Sequence, residues 1–482
     1  MIALTACRKA PAGNGNGNED QTDIPTANAV CPDAPIFIAT EGRPELGNSG
    51  KIRVYKESGT TVVDEIDLAD LATVTIRDDG QMIPREQITD ATVLNTFHDR
   101  IPGGTSGKWR VVHYTPLRVT DKGLEIRLHC GALSFDGKYT VKVDAGVIRG
   151  GEAMEIGLQT KPAPTSLDEF TVKPDGKGDF CTVQAAINFA CRKGKDKAVT
   201  ISIAPGTYPE MLYIRDKDNL TLKGTGRRTQ SIIAYANNES YELGSGSGTD
   251  EPKLGKGIGS SGGRSVILVE NCNNLTLENL TIKNTFGQLK GQAETIYFNS
   301  GNNTHRLTIE NCELWSFQDT FLTKGIAWVH GSLIAGHCDY IWGYPAACLF
   351  EDCEIRSLAE GYIVQARIQK ATDKGFVFLG CRLTSGGGVP DGKMALARSG
   401  GDSKYFDNVT FVNCTMFPVI SKDGWNQSKT PNPSKPTATS GWKEFGSKDP
   451  SGNPISSHSS LGLYLSEAEA APYSSRMAVL GF

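Results

Sequence analysis

Two aspartates of this 482-residue chain stand in sequence contexts suited to chemistry. Asp319 lies in Gln318-Asp319-Thr320-Phe321, and Asp339 lies further on, in Gly336-His337-Cys338-Asp339-Tyr340-Ile341-Trp342-Gly343. The interval from 319 to 339 matches one coil of a parallel β-helix, which takes roughly twenty residues or somewhat more. That spacing can therefore stack two carboxylates on one face of adjacent coils, about one strand spacing apart. Such a pair is useful at a single pH when its surroundings split the two titrations, so that one group stays ionised as nucleophile and the other keeps a proton as acid. A cation beside one of them produces that split. Other chemistries find less support. The seven histidines stand in no nucleophile elbow, and Gly-x-Ser-x-Gly is absent. The twelve cysteines include no Cys-x-x-Cys pair, so no zinc site is expected.

The elements that would hold such a pair are short strands. From about 170 to 420, runs rich in Leu, Thr, Ile and Val recur: Leu220-Thr221-Leu222, Leu275-Thr276-Leu277, Leu280-Thr281-Ile282, Leu307-Thr308-Ile309, Val377-Phe378-Leu379 and Val409-Thr410-Phe411. Asn-Cys or an analogue follows repeatedly, at Asn271-Cys272, Asn311-Cys312, Asp352-Cys353, Gly380-Cys381 and Asn413-Cys414. Gaps of roughly 30 to 40 residues are too irregular for a propeller and suit a solenoid with uneven loops. The pattern predicts an all-β chain dominated by a right-handed parallel β-helix. Its cysteines read first as buried ladder residues and second as disulfide partners. Apolar residues at Val183, Ala186, Ile187 and Ala190 predict a helix over 180–190 that covers the open end of the stack.

Ahead of it, residues 31–160 read as a separate antiparallel β-sandwich. Its strands include Ile36–Ala39, 51–55, 73–76, 110–114, 124–128 and 139–143, several alternating with period two. This part resembles the immunoglobulin-like modules that accompany bacterial polysaccharide enzymes. Cys31 and Cys130 are candidates to pair across it in an exported protein, with two buried thiols as the equal alternative. Lys161-Pro162-Ala163-Pro164-Thr165 reads as a linker, so 161–482 comprises that linker and the β-helix. Residues 1–30 read as an anchor and spacer. Leu4-Thr5-Ala6-Cys7 has the form of a lipobox with Cys7 as the lipidated residue, although a basic region and long apolar stretch do not stand before it. Gly13-Asn14-Gly15-Asn16-Gly17-Asn18 is a flexible spacer. An exported, monomeric outer-membrane lipoprotein facing the periplasm or the exterior is expected. No run of eighteen apolar residues predicts a transmembrane helix. The net charge of −4, with no basic block, argues against a nucleic-acid partner and leaves room for a local basic cleft.

The motifs around the two aspartates, continued by Ala347-Cys348-Leu349-Phe350-Glu351-Asp352-Cys353, resemble the core signature of the pectin methylesterases, which show Gln-Asp-Thr-Leu and then Asp-Phe-Ile-Phe-Gly. Further similarities run in order: Gly206-Thr207-Tyr208-Pro209-Glu210, Gln292-Ala293, Gly361-Tyr362-Ile363-Val364-Gln365-Ala366-Arg367, Gly375-Phe376-Val377-Phe378, Gly424-Trp425 and Leu465-Ser466-Glu467-Ala468-Glu469-Ala470. They cover about 170 to 482. The resemblance implies roles. Asp339 would attack the ester carbonyl. Asp319 would protonate the departing methanol and then deprotonate the hydrolytic water. Gln292 and Gln318 would donate to the tetrahedral oxyanion, each such donor typically lowering the barrier by about 3 kcal/mol. Arg398, at the Arg of the family's Leu-Gly-Arg-Pro-Trp, would hold Asp339 ionised and leave the proton on Asp319. Trp342 stands where the family has Phe and would restore some stacking surface at the sugar site, with a packed core aromatic as its alternative; Tyr340 is a second substrate-binding candidate that reads first as a core residue. Ser399-Gly400 stands where the family has Pro-Trp, which removes a sugar-stacking ring. No cofactor or metal is implied, and the implied partner is pectin, methylated homogalacturonan.

Two other β-helix activities fit poorly. A polygalacturonase needs three clustered aspartates including an adjacent pair, and the one Asp-Asp, Asp78-Asp79, lies in the first domain. A pectate lyase needs an acidic calcium cluster, which the strands around Asp319 and Asp339 lack. A non-catalytic carbohydrate binder is the reading from another class. The altered Arg398 loop favours it, and the five filled polar positions oppose it.

Overall fold

The computed structural model describes residues 29–57, 59–69, 98–105, 107–113, 115–238, 245–247, 263–287, 291–299, 303–455 and 458–482. Cys7, the spacer, the strand expected at 73–76 and Asp78-Asp79 lie outside them. The described residues divide into two compact units: 29–101 with 111–189, and 102–110 with 190–482. The first unit thus runs past the expected boundary at 160 to Phe189, and the short segment 102–110 belongs with the second.

The second unit is a parallel β-helix. Val199–Ile203 pairs in parallel with Leu220–Gly224, which pairs with Leu275–Glu278, which pairs with Arg306–Glu310. Thr281–Asn284 pairs in parallel with Glu313–Trp315. Strand residues alternate between buried and half-buried, as in Val199–Ile203, so each coil sends apolar side chains inward and these stack in rows from coil to coil. Phe350, Phe378 and Phe411 form one such row, their rings stacked at 4.8 and 4.4 Å.

The recurrent Asn-Cys has a backbone cause. Asn271, Asn311, Asp352, Gly380 and Asn413 all adopt positive φ, between 49° and 65°. A coil turns sharply there, and Asn, Asp and Gly tolerate this left-handed region best. The cysteine that follows points inward. Cys312, Cys353, Cys381 and Cys414 donate their thiols to the carbonyls of Leu277, Val329, Phe350 and Phe378, each on the preceding coil. They are free thiols in a ladder.

In the first unit, Ile36–Ala39, Leu117–Thr120 and Gly123–Ile126 form one antiparallel sheet, and Lys51–Lys56, Thr61–Asp67, Lys138–Val143 and Met154–Gln159 form a second. The two sheets share a core that includes Ile38, Val54, Leu124 and Val141, in the manner of a sandwich. The helix spans Val183–Cys191, and Phe189 packs edge-on against Phe135 and Phe170. Cys31 and Cys130 are not bridged; the Cys130 sulfur instead receives the Asn188 amide at 3.1 Å. Among the described residues no helix is long and apolar enough to cross a membrane.

Candidate active site

Asp319 and Asp339 use the same turn device as the Asn-Cys positions. Their φ angles are 64° and 46°, in the left-handed region that Asp tolerates better than most residues. The Asp319 N–H donates to the Cys338 carbonyl at 3.1 Å, and Gln318 pairs with Cys338 in a parallel bridge. The aspartates are therefore neighbours on successive coils, at about the 4.8 Å strand spacing. They are 2% and 5% exposed. Gly343, which closes the Asp339 motif, has φ 135°, and a Cβ there would meet the Thr323 carbonyl oxygen at 2.2 Å. No other residue fits. Burial and the Asp339 carboxylate push the Cys338 thiol up to about 12, so this neighbour is no nucleophile.

Asp339 is gripped from two sides. Arg398 Nε donates to Oδ1 at 2.7 Å and to Oδ2 at 3.0 Å, and its Nη2 also donates to Oδ2. Hydrogen bonding to Asp339 in turn holds the Arg398 guanidinium charged. Gln365 Nε2 donates to Asp339 Oδ2 at 3.0 Å. Arg367 fixes which way that amide faces, by donating to Gln365 Oε1 at 3.1 and 2.8 Å. Gln365 and Arg367 are motif matches to which the sequence alone assigns no role.

Asp319 has an arginine of its own, which sequence reasoning missed. Arg264 Nη2 donates to Asp319 Oδ2 at 3.0 Å. The same guanidinium holds Glu294 through Nε at 2.9 and 3.0 Å, and its Nη1 donates to Gln292 Oε1. Both side chains of the Arg264–Glu294 pair are almost fully buried. The expectation of one cation, beside Asp339 alone, is thus corrected. The asymmetry survives in a weaker form. Arg264 is already balanced by Glu294, so Asp319 faces an ion pair, whereas Asp339 faces a guanidinium whose ion-pair partner is Asp339 itself. Gln292, with Oε1 occupied by Arg264, keeps its Nε2–H groups as donors. The Arg264 backbone is steadied by Arg110, which donates to the carbonyls of Gly263 at 3.0 Å, Leu212 at 2.9 Å and also Ser265.

Gln318 is half-exposed beside Asp319, and its carbonyl accepts from the Ala293 N–H. Trp342 is on the face of this group. Its ring lies 5.8 Å from the Arg264 guanidinium and 5.1 Å from that of Arg367, and only 5% of it is exposed. Tyr340 requires correction. It is fully buried with its hydroxyl 3.3 Å from Ser357 Oγ, so it packs the interior and touches no substrate. The loop after Arg398 is tied down without the family's Pro-Trp. Ser399 Oγ donates to Asp407 at 2.8 Å, and the Asn432 N–H donates to the same oxygen. Burial raises the Asp407 carboxyl to about 6.

Two adjacent carboxylates on a parallel β-helix, each held by an arginine, with amide groups beside them, supply the groups that acyl transfer through a carboxylate nucleophile requires. The family model for pectinesterase matches residues 169–475, and the chain belongs to the pectinesterase family, a family of carboxylic ester hydrolases. Pectinesterase 31 of Arabidopsis thaliana is 29% identical over 258 residues, covering 53% of this chain and 75% of the plant protein. Among solved structures, pectin methylesterase PemA from Erwinia chrysanthemi superposes with a TM-score of 0.51 at 24% identity, covering 66% of this chain and 98% of that one. The pectin methylesterase of Aspergillus niger does so with a TM-score of 0.51 at 20% identity, covering 66% and 95%. These likenesses establish the shared β-helix.

Proposed function

We propose that this chain removes methyl esters from homogalacturonan and releases methanol, with Asp339 as nucleophile and Asp319 as acid and base. The observation that carries the roles is the grip of Arg398 and Gln365 on Asp339, next to an Asp319 that shares its arginine with Glu294. An Asp339 oxygen bonds to the ester carbon, and the carbonyl electron pair moves onto oxygen, where amide N–H groups of Gln292 and Gln318 receive it. Collapse breaks the bond to methoxide, which takes the Asp319 proton and leaves as methanol. The resulting anhydride between Asp339 and the sugar acid is opened by water. Asp319 takes one water proton and is again the acid, Asp339 leaves as the carboxylate, and the water oxygen with its second proton stays on the sugar acid, which ionises in solvent. The test is methanol release from methylated pectin. Asp339→Asn abolishes it because an amide does not serve as nucleophile. Asp319→Asn lowers it by about 100- to 10,000-fold, and the two losses do not add. Turnover by folded Asp339→Asn refutes the assignment. Attachment to the outer membrane through a lipid on Cys7 belongs to this proposal, and Cys7→Ser in the full precursor releases the protein from membranes if it is right.

A further inference from the structure

We propose that Cys31 and Cys181 form a disulfide that fastens residue 31 to the start of the helix Val183–Cys191. Both lie in the first unit, far apart in sequence, and their exposures are 0% and 5%. The two sulfurs and a carboxylate oxygen of Asp33 all lie within 4.8 Å of one another. Asp33 holds the two segments in this register. Its Oδ2 accepts from the N–H of Cys181 at 2.9 Å, and from the N–H and hydroxyl of Thr182 at 2.7 and 2.8 Å. A cavity of about 30 Å³ lined in part by Cys31, Cys181, Pro35, Leu158 and Gly176 adjoins the sulfurs and leaves room for side-chain rotation into bonding geometry.

The surroundings favour sulfur–sulfur bonding over a metal ion. A structural zinc site takes four ligands, and three are present here among the described residues. Lys161 Nζ donates at 2.5 and 3.3 Å to the carbonyls of Gly176 and Gly178, the same groups that Cys31 Sγ approaches at 3.7 and 3.4 Å. An ammonium so placed repels a cation and supports a thiolate. Hydrogen bonding from Cys181 and the nearby Lys161 charge lower the Cys31 thiol, which suits it to attack.

The bond forms while the chain folds, before both sulfurs are covered. The Cys31 thiolate attacks a small-molecule disulfide such as glutathione disulfide and expels one glutathione thiolate. The Cys181 thiolate then attacks the Cys31 sulfur of the mixed disulfide and expels the second. Two electrons pass from the cysteines to the oxidant, and the two thiol protons end on the released glutathiones.

The full chain, refolded with glutathione disulfide, is acid-quenched, alkylated and digested without reduction. The expected result is a peptide linking Cys31 to Cys181, with two fewer alkylated cysteines than in the reduced chain. Reduction lowers the melting temperature of the wild type by about 5 °C or more and leaves that of Cys181→Ser unchanged. Where Cys181→Ser fails to fold, Cys130→Ala is used, and it keeps both the linked peptide and the reduction-sensitive melting. Full alkylation of both cysteines, a link from Cys31 to Cys130, or one zinc retained per chain overturns the proposal.

Discussion

Glu294→Gln isolates the electrostatic role assigned to the Arg264 pair. The substitution keeps the shape of the side chain and removes its charge. Arg264 then presents an unbalanced cation to Asp319, which favours the ionised carboxylate and removes the general acid. Two carboxylates that share one guanidinium are about 6 Å apart. At that separation and an effective dielectric of about 20, the lost repulsion is about 3 kcal/mol, or about 2 pH units. The limb of the kcat/KM profile that requires the protonated acid therefore moves about 2 units towards lower pH. At a fixed pH above that limb, methanol release falls by up to about 100-fold. The limb belongs to the aspartate pair as a whole, so the assay reads its position and assigns no microscopic site. Removing one partner of a buried ion pair also destabilises the fold by about 3–5 kcal/mol. The measurement is therefore the position of the limb, which loss of folded enzyme does not move, with the melting temperature followed in parallel. A profile that stays within half a unit of wild type while its amplitude drops refutes the reasoning and reduces Arg264–Glu294 to a structural pair.

Three further outcomes follow from the same geometry. Arg398→Lys keeps a charge beside Asp339 but loses the two-pronged grip, so kcat falls by about 10-fold or more with the pH limbs in place; an unchanged kcat would show that charge alone suffices. Gly400→Trp restores a ring where the loop has none, lowering KM for short oligomers by about fivefold, roughly 1 kcal/mol, and a large rise in kcat instead would mean that the loop positions Arg398. Lys443 is buried against Lys374 and Tyr473, and burial pushes its ammonium down to about 7. A lysine with a depressed folded value binds its proton more weakly in the native state than in the unfolded one. Its destabilisation is therefore full below about pH 7 and fades towards pH 10. Lys443→Met raises the melting temperature most at pH 6 and least near pH 10, and a gain independent of pH would contradict the titration.

The β-helix was legible because its turns impose a chemical requirement. Left-handed residues recur at the corners of the coils, so Asn, Asp or Gly followed by an inward Cys leaves a readable trace at 271, 311, 352, 380 and 413. The contrast between Tyr340 and Trp342 was not legible, because residues two apart on a strand are expected on one face. Tyr340 lies wholly inside, while Trp342 reaches the arginines. Arg264 was illegible for a different reason. Its partners lie 28, 30 and 55 residues away, and an arginine after Gly262-Gly263 resembles any solvated loop residue until the coils are stacked. The partner of Cys31 was equally hidden, because a contact between positions so distant in sequence leaves no local pattern.

Stacking also explains how so irregular a sequence holds so definite a site. Arg264, Gln292, Asp319, Asp339, Gln365 and Arg398 come from successive coils, at uneven intervals along the chain. Each coil supplies one polar group at nearly the same position around the axis, and the parallel ladder fixes the axial step at about 4.8 Å whatever the loop between them contains. Loop length can therefore vary without moving the reacting groups. Direction along the stack then carries chemical meaning. Asp339 meets Gln365 and Arg398 from the coils that follow it, and Asp319 meets Arg264, itself paired with Glu294, from the coils that precede it. The two carboxylates are adjacent, yet each takes its electrostatic environment from the opposite end of the stack. A repeating architecture with one kind of neighbour above and another below can thereby give two aspartates different tasks.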